Sequence, residues 1–145
     1  MDSSHTEQSL QAAGWKLRTL PGFIGAVGPL WTRRDGDSWA YGLLATSAHL
    51  NPVQLVHGGL LATLADHALS ALAWEAVGRK PCVTVQLDTH YLASARAGQL
   101  LEARGRVVRV TSSLVFMQGQ VSVGERELVT AVSVLKILSS DGPAG

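Results

Sequence analysis

Apolar and polar positions follow two rhythms along this chain, and the change between them predicts its elements. From Gly58 to Val77, the residues Leu60, Leu61, Leu64, Ala65, Ala68, Leu69, Ala71, Leu72 and Ala73 cover nearly every side of a helical wheel. A helix that is apolar all round is a buried helix. Gly78 follows as a C-terminal cap, with Arg79, Lys80 and Pro81 beyond it. A helix of about 20 residues is a rod roughly 30 Å long. Downstream the period shortens to two. In VTVQLDTHYL, Val83, Val85, Leu87 and Tyr91 are expected on one face, and Thr84, Gln86, Asp88 and His90 on the other. QLLEARGRVVRV (99–110), SLVFMQGQVSV (113–123) and ELVTAVSVLKIL (127–138) read as three further strands. The breaks at Ala97-Gly98, Thr111-Ser112-Ser113 and Gly124-Glu125-Arg126 are short, which favours antiparallel neighbours.

Upstream of the helix, VGPLWTRRDGDSWAYGLLAT reads as a hairpin turning at Asp35-Gly36. GWKLRTLPGFIGAVGPL is rich in Gly and Pro and is expected to form loops with one short helical turn. SAHLNPVQLV is a loop in which Asn51-Pro52 starts a turn. Residues 1–13 are polar and read as frayed or loosely helical, and residues 139–145 as a disordered tail. The predicted order is a hairpin, one long buried helix, then a meander. One helix laid across a strongly curved antiparallel sheet buries most of the helix and one face of the sheet. The flank left exposed needs another molecule to cover it.

Composition narrows the picture. A chain of 145 residues is one domain by default, and 46 % hydrophobic residues are enough to fill its core. Only 16 % are charged, which suggests that further surface is hidden by oligomerisation. The net charge of +1 gives no reason to expect nucleic acid or a membrane as partner. The single cysteine, Cys82, excludes an internal disulfide and cysteine-rich metal sites, and its place after Pro81 at a strand start suits packing. MDSSHTEQSL lacks the basic-then-apolar pattern of a signal peptide. The apolar run near residues 60–77 is broken by Asp66, His67, Ser70 and Glu75, which makes it a poor membrane span. A soluble, cytoplasmic protein is expected.

The chemistry concentrates around the helix. His57-Gly58-Gly59 lets the backbone turn tightly and leaves the first helical N–H groups bare. Those groups and the helix dipole suit an anion or a polarised carbonyl oxygen. Read from the residues alone, the glycines are equally a close-packing turn, and His57 equally a capping or core histidine. Asp66 is a carboxylate in an apolar helix, a costly placement unless it is paired or used. It stands about 12 Å along the axis from Gly58 and roughly 80° round the wheel. One helix cannot bring the two together, but two antiparallel copies across a two-fold axis can. The alternative is a structural acid bonded to strand groups or to a base. Asp66 and His67 are not a catalytic pair, since adjacent helical side chains diverge by about 100°.

NPVQLVHGGLLATLAD and TVQLDTHYL, in this order and spacing, resemble the hotdog-fold thioesterases, specifically the phenylacetate-pathway-like branch of the 4-hydroxybenzoyl-CoA thioesterase superfamily. The resemblance covers residues 20–138, leaving 1–19 as a partly flexible N-terminal extension. It implies an α+β hotdog fold, with a curved antiparallel sheet wrapped around one long central helix. It also implies homodimers assembling into homotetramers, and hydrolysis of an acyl-CoA without metal or cofactor, coenzyme A being part of the substrate. Carried over by position, the Gly58 N–H polarises the thioester carbonyl, and Asp66 of the partner subunit is general base or nucleophile. Asn51 and Thr84 place water or substrate, His57 fixes the loop, and Gly59 joins the substrate-binding set. Ser70 stands where some branches carry an offset acid.

Coenzyme A calls for basic groups. Arg104, Arg106 and Arg109, with Ser112 and Ser113 beyond, are the candidates, and Arg96 and Lys136 are others; each is equally a solvated strand charge. Phe23, Leu30, Trp31 and Trp74 are candidates to shape an acyl pocket, or ordinary core. Two other functions stay open at this level. One is a non-catalytic acyl-CoA-binding module in which Asp66 is dispensable. The other is a hydratase or dehydratase, which needs a histidine and a carboxylate converging on the substrate carbons.

Overall fold

A computed structural model describes residues 4–139; most of the tail expected over 139–145 therefore lies outside the described residues. The elements are α1 (Glu7–Ala12), β1 (Lys16–Arg18), α2 (Gly22–Val27), β2 (Leu30–Asp35), β3 (Ser38–Leu44), a 3-10 turn (Ser47–His49), α3 (Gly58–Ala76), β4 (Cys82–Tyr91), β5 (Leu100–Val110), β6 (Leu114–Val123) and β7 (Arg126–Ile137). The strands form one seven-stranded sheet in the order β1-β2-β3-β5-β6-β7-β4, antiparallel throughout. The predicted hairpin is β2–β3, where Asp35 faces Ser38 across a turn in which Gly36 takes a φ of +60°. The short helical turn expected in the Gly/Pro-rich entry segment is α2.

The predicted long helix is α3, one residue shorter than its sequence pattern. It stops at Ala76 with Val77 as C-cap, and Gly78 adopts φ +69° while the Arg79 N–H donates to the Trp74 carbonyl at 2.8 Å. That bond closes the last turn as a glycine-capped helix end does. Leu60, Leu61, Leu64, Ala65, Ala68, Leu69, Leu72 and Ala73 are buried. They pack on Leu101, Ala103, Val115, Met117, Val121, Val129 and Leu135 from the inner face of the sheet. The helix touches β3, β4, β5, β6 and β7, so the sheet wraps around it.

The helix comes this close because two glycines face each other beneath it. Gly105 of β5 pairs with Gly119 of β6. A Cβ on Gly105 would lie 2.5 Å from Leu69 Cδ2, and one on Gly119 only 2.4 Å from the Arg104 carbonyl oxygen. Leu69 thus occupies the space that two side chains would otherwise fill.

Two expectations are corrected. Residues 1–19 do not stand apart as an extension where they are described. β1 is the edge strand of the same sheet, and α1, with Thr6 in a capping box, lays Leu10 (1 % exposed) beside Trp15, Trp31, Ala40 and Leu100. This second core covers the side of β2 and β3 that faces away from α3. The strict alternation expected of β4 also fails. A β-bulge between Thr84 and Gln86 inserts Val85 as an extra residue, so pairing passes from Thr84↔Leu135 to Gln86↔Val134. Val83 and Val85 are therefore exposed, while Cys82, Thr84 and Leu87 are part-buried. Cys82 packs against the core as expected, and burial pushes its thiol pKa up.

Gly119→Ala is expected to lower unfolding free energy by roughly 1–3 kcal/mol through overpacking against Leu69 and the Arg104 carbonyl, a loss visible as a lower urea midpoint at unchanged slope.

Candidate active site

The start of α3 is shaped by the loop before it. The Asn51 Oδ1 accepts from the N–H groups of Val53 (3.0 Å) and Leu55 (3.1 Å), and the Asn51 N–H donates to the Leu55 carbonyl (2.7 Å). The His57 N–H then donates to the His49 carbonyl at 2.9 Å, which anchors the residue before the helix. His57 is the N-cap: its Nδ1 accepts from the Gly59 N–H at 2.9 Å. An accepting nitrogen carries no proton, so Nδ1 is the bare nitrogen of this ring. The helix start is thus less open than its glycines imply, because one of its N–H groups is capped. The Gly58 N–H is the one that points to no acceptor among the described residues. The Gly58 carbonyl is held from the other side, accepting from the Tyr91 hydroxyl at 3.2 Å. A Cβ on residue 58 would stand 3.3 Å from the Tyr91 ring. An uncapped N–H at a helix start, in the positive end of the dipole, suits an electron-rich oxygen.

Asp66 lies two turns further on, on the side of α3 that meets β4. Its Oδ1 accepts from the Thr84 Oγ1 at 2.7 Å, and Ser70 Oγ stands 3.3 Å from that same Thr84 oxygen. The Thr84 hydroxyl has one proton, and it is spent on the carboxylate. Ser70 is therefore the donor in the second bond, giving a chain Ser70→Thr84→Asp66. Asp66, Ser70 and Thr84 are all part-buried. The bulge at Val85 is what turns Thr84 inward to this position.

His67 points elsewhere, as the helical wheel requires. Its ring meets that of Tyr41 edge-on at 6.0 Å between centroids. Burial lowers the His67 pKa below 6.5, partly offset by the Asp66 charge beside it, and burial aided by Glu75 pushes the Tyr41 phenol up to about 12.

The basic candidates divide. Arg104 is engaged by two carboxylates, Asp35 at 2.9 Å and Glu102 at 3.2 Å. Arg106 donates to Gln118 at 2.6 Å. Arg109, Ser112 and Ser113 are exposed where β5 turns into β6, and the Ser113 carbonyl accepts from the Ile137 N–H at 2.8 Å. That is the end of the sheet at which Thr84 pairs with Leu135. Lys136 is exposed at this same end, paired with Val83 and Leu114, and Arg96 is exposed after β4. Of the aromatic candidates, Leu30 and Trp31 are core, and Trp74 lies under Arg79 with 5.1 Å to its ring centroid. Phe23 alone borders open space, a cavity at the start of α3. No group of three or more His, Cys, Asp or Glu is gathered as a metal-ligand set among the described residues. No helix among them is long and apolar enough to cross a membrane.

The structure brings the predicted residues together in two groups: Asn51, His57, Gly58 and Gly59 at the helix start, and Asp66 with Thr84 of β4 beside mid-helix. Sequence patterning gives no role to Tyr91, and it notes Ser70 only as a missing acid. The spacing of Ser70 one turn after Asp66 was the available signal; for the Tyr91 contact with a residue 33 positions earlier there was none.

A family model described as the thioesterase superfamily matches residues 54–130, more than half of the chain. A Pseudomonas aeruginosa protein provisionally named an esterase is 33 % identical over 123 residues, covering 83 % of this chain and 91 % of its own length. Among solved structures, a Ralstonia eutropha protein related to phenylacetic acid degradation is 24 % identical with a TM-score of 0.65, covering 92 % of each chain. A Streptococcus pneumoniae protein described as a hypothetical thioesterase, solved with coenzyme A, is 23 % identical with a TM-score of 0.67, covering 74 % of this chain and 84 % of that one. The architecture they share with this chain is the hotdog fold.

His67 supplies a test of the local environment. Its folded pKa is below the 6.5 of a free imidazole, so the unfolded chain binds the proton first as pH falls. Stability attributable to this residue is expected to drop as pH falls through 6.5 and to level off below the folded value. In His67→Gln, the fall of unfolding temperature between neutral and mildly acidic pH should be shallower than in the parent, as measured by circular dichroism.

Proposed function

The chain belongs to the thioesterase superfamily, and from that membership we propose that it hydrolyses an acyl-CoA thioester to the free acid and coenzyme A. The observation that carries this reading is the pair of half-sites on α3: an open Gly58 N–H at the helix start, and the Asp66 carboxylate held by Thr84 on the β4 side. The coenzyme A bound by the Streptococcus pneumoniae protein supports the choice of carrier.

The half-sites stand about 12 Å apart along one helix, so they serve one thioester only when two copies of α3 lie antiparallel about a two-fold axis. Strand β4 favours such a pairing. It is the last strand of the sheet and exposes Val83, Val85 and Tyr91, with Leu92 just beyond. A long apolar edge strand is a template for another strand. Asp66 sits just inside that edge through its bond to Thr84. A homodimer joined along β4 thus covers the exposed flank of α3, and the family resemblance extends it to a homotetramer.

In this dimer the thioester carbonyl oxygen accepts the Gly58 N–H, and the helix dipole offsets the negative charge that develops on it. Asp66 of the partner subunit takes a proton from the attacking water, or attacks the carbonyl itself to form a mixed anhydride that water opens. Either route ends with carboxylic acid and the free thiol of coenzyme A. The Thr84 hydroxyl holds one carboxylate oxygen in place, and Ser70 holds Thr84, which leaves the other oxygen for chemistry. Asn51 and His57 act by fixing the loop and the first turn, since their accepting atoms are already engaged by backbone N–H groups.

Asp66→Asn is expected to cut kcat by roughly 10²–10⁴ with the oligomer intact, as read by thiol release and size-exclusion chromatography; full turnover would remove Asp66 from the reaction. Thr84→Val is expected to cost roughly tenfold to a hundredfold, the worth of a hydrogen bond to a charged group. Gly58→Pro deletes the N–H at a position whose backbone suits proline, the residue before it being already extended with a ψ of 134°; its Cβ meets the Tyr91 ring at 3.3 Å, so the unfolding temperature of this variant is measured alongside. Asp66→Asn and Gly58→Pro, each inactive alone, should regain about a quarter of wild-type activity when refolded together at random, because half the dimers then hold one intact site. A site confined to one chain predicts no recovery.

A further inference from the structure

Tyr91 is the last residue of β4, paired with Val129 of β7. Its hydroxyl donates to the Gly58 carbonyl at 3.2 Å, and its ring stands 3.3 Å from where a Cβ on residue 58 would lie. The N–H of that same peptide unit belongs to Gly59 and donates to His57 Nδ1 at 2.9 Å. The unit is therefore held at both ends, its oxygen by β4 and its nitrogen by the N-cap. The residue before it is held too, since the His57 N–H donates to the His49 carbonyl. Between these anchors lies the Gly58 N–H.

Glycine has the widest backbone freedom of any residue, so Gly58-Gly59 is the part of α3 that most needs such restraint. A donor stabilises a developing oxyanion best when it is already aimed, with no reorientation left for the moment of reaction. The bulge at Val85 completes the arrangement. Thr84 and Tyr91 are seven residues apart, which strict alternation would put on opposite faces of β4. Their partners Leu135 and Val129 are six apart on β7, and both are buried in the inner core. The extra residue thus turns Thr84 and Tyr91 alike toward α3, the one to Asp66 and the other to Gly58. One strand grips both half-sites.

Resting on the thioesterase reading, we propose that Tyr91 is a positioning residue, which aims the Gly58 N–H at the thioester carbonyl by acting through the Gly58 backbone. The Tyr91 hydroxyl has one proton, and the Gly58 carbonyl takes it. In a dimer paired along β4, Tyr91 of one subunit and Thr84 of the partner subunit align the two sides of a single site.

Tyr91→Phe keeps the ring and removes the bond. It should lower kcat roughly tenfold, against the roughly 10²–10³ that goes with an oxyanion donor lost outright. KM should stay within about twofold, because the donor acts mainly on charge that develops in the transition state. The unfolding temperature should not change, Tyr91 being half exposed. The second readout is the infrared carbonyl band of hexanoyl-CoA, labelled with carbon-13 at the carbonyl and bound to Asp66→Asn protein. Adding Tyr91→Phe should broaden this band and move it to higher frequency, as a loosened donor bonds the carbonyl less well. An unchanged kcat, or a band untouched by Tyr91→Phe, would overturn the positioning role and leave the thioesterase reading standing. A band that moves with Tyr91→Phe, in a protein whose wild type cleaves no thioester, would do the reverse.

Discussion

The seating of Leu69 on the paired glycines Gly105 and Gly119 is the contact on which the rest of the molecule depends. It removes two side chains from the middle of the sheet and lets a helix take their place. With α3 at that depth, β3, β5, β6, β7 and β4 all reach it, and the buried leucines and alanines of the helix fill the concave face. A sheet that wraps a helix this closely covers it on most sides but not on all. The side next to β4 stays open, because β4 is where the sheet ends.

Two polar groups of the helix stand at that opening. Asp66 and Ser70 meet Thr84 there, and a carboxylate tolerated in an otherwise apolar helix finds a hydroxyl donor and access to solvent. The helix start offers the opposite polarity: a dipole end with one N–H left uncapped, while His57, Tyr91 and the Asn51 turn hold the surrounding backbone still. A donor fixed on a helix and a carboxylate fixed on the same helix cannot approach each other, since the rod between them is rigid. Any chemistry that uses both requires a second rod. The separation of the two groups along α3 and the apolar edge of β4 both follow from a sheet that ends beside its helix.

The two cores divide the labour. The inner core fixes α3 and through it the polar groups. The outer core, built by Leu10, Trp15 and Trp31, serves only to cover the far side of β2 and β3. The segment that follows β1 is different in kind. Helix α2 has no fully buried residue, and it is tied to the fold by Val27, which packs on the inner core, and by the His49 bond to its last carbonyl.

Local pattern settled much about this protein. An all-round apolar run makes α3 a buried helix wherever it packs. Period-two runs with short breaks make an antiparallel meander, and Asp35-Gly36 makes a hairpin. The spacing of Gly58 and Asp66 along a helix of fixed pitch already showed that one chain holds them apart. What the pattern could not carry was decided by contacts distant in sequence. A bulge leaves no mark in an alternating sequence, so the inward turn of Thr84, and with it the partner of Asp66, appeared only in the fold. The same holds for Tyr91 over Gly58, for the capture of Arg104 by Asp35 from 69 residues away, and for the docking of α1 on Trp31. Periodicity is a property of neighbours along the chain and is written in their order. A hydrogen bond between strands depends on register and on where the ladder slips, and these are fixed only when the whole sheet closes around its helix.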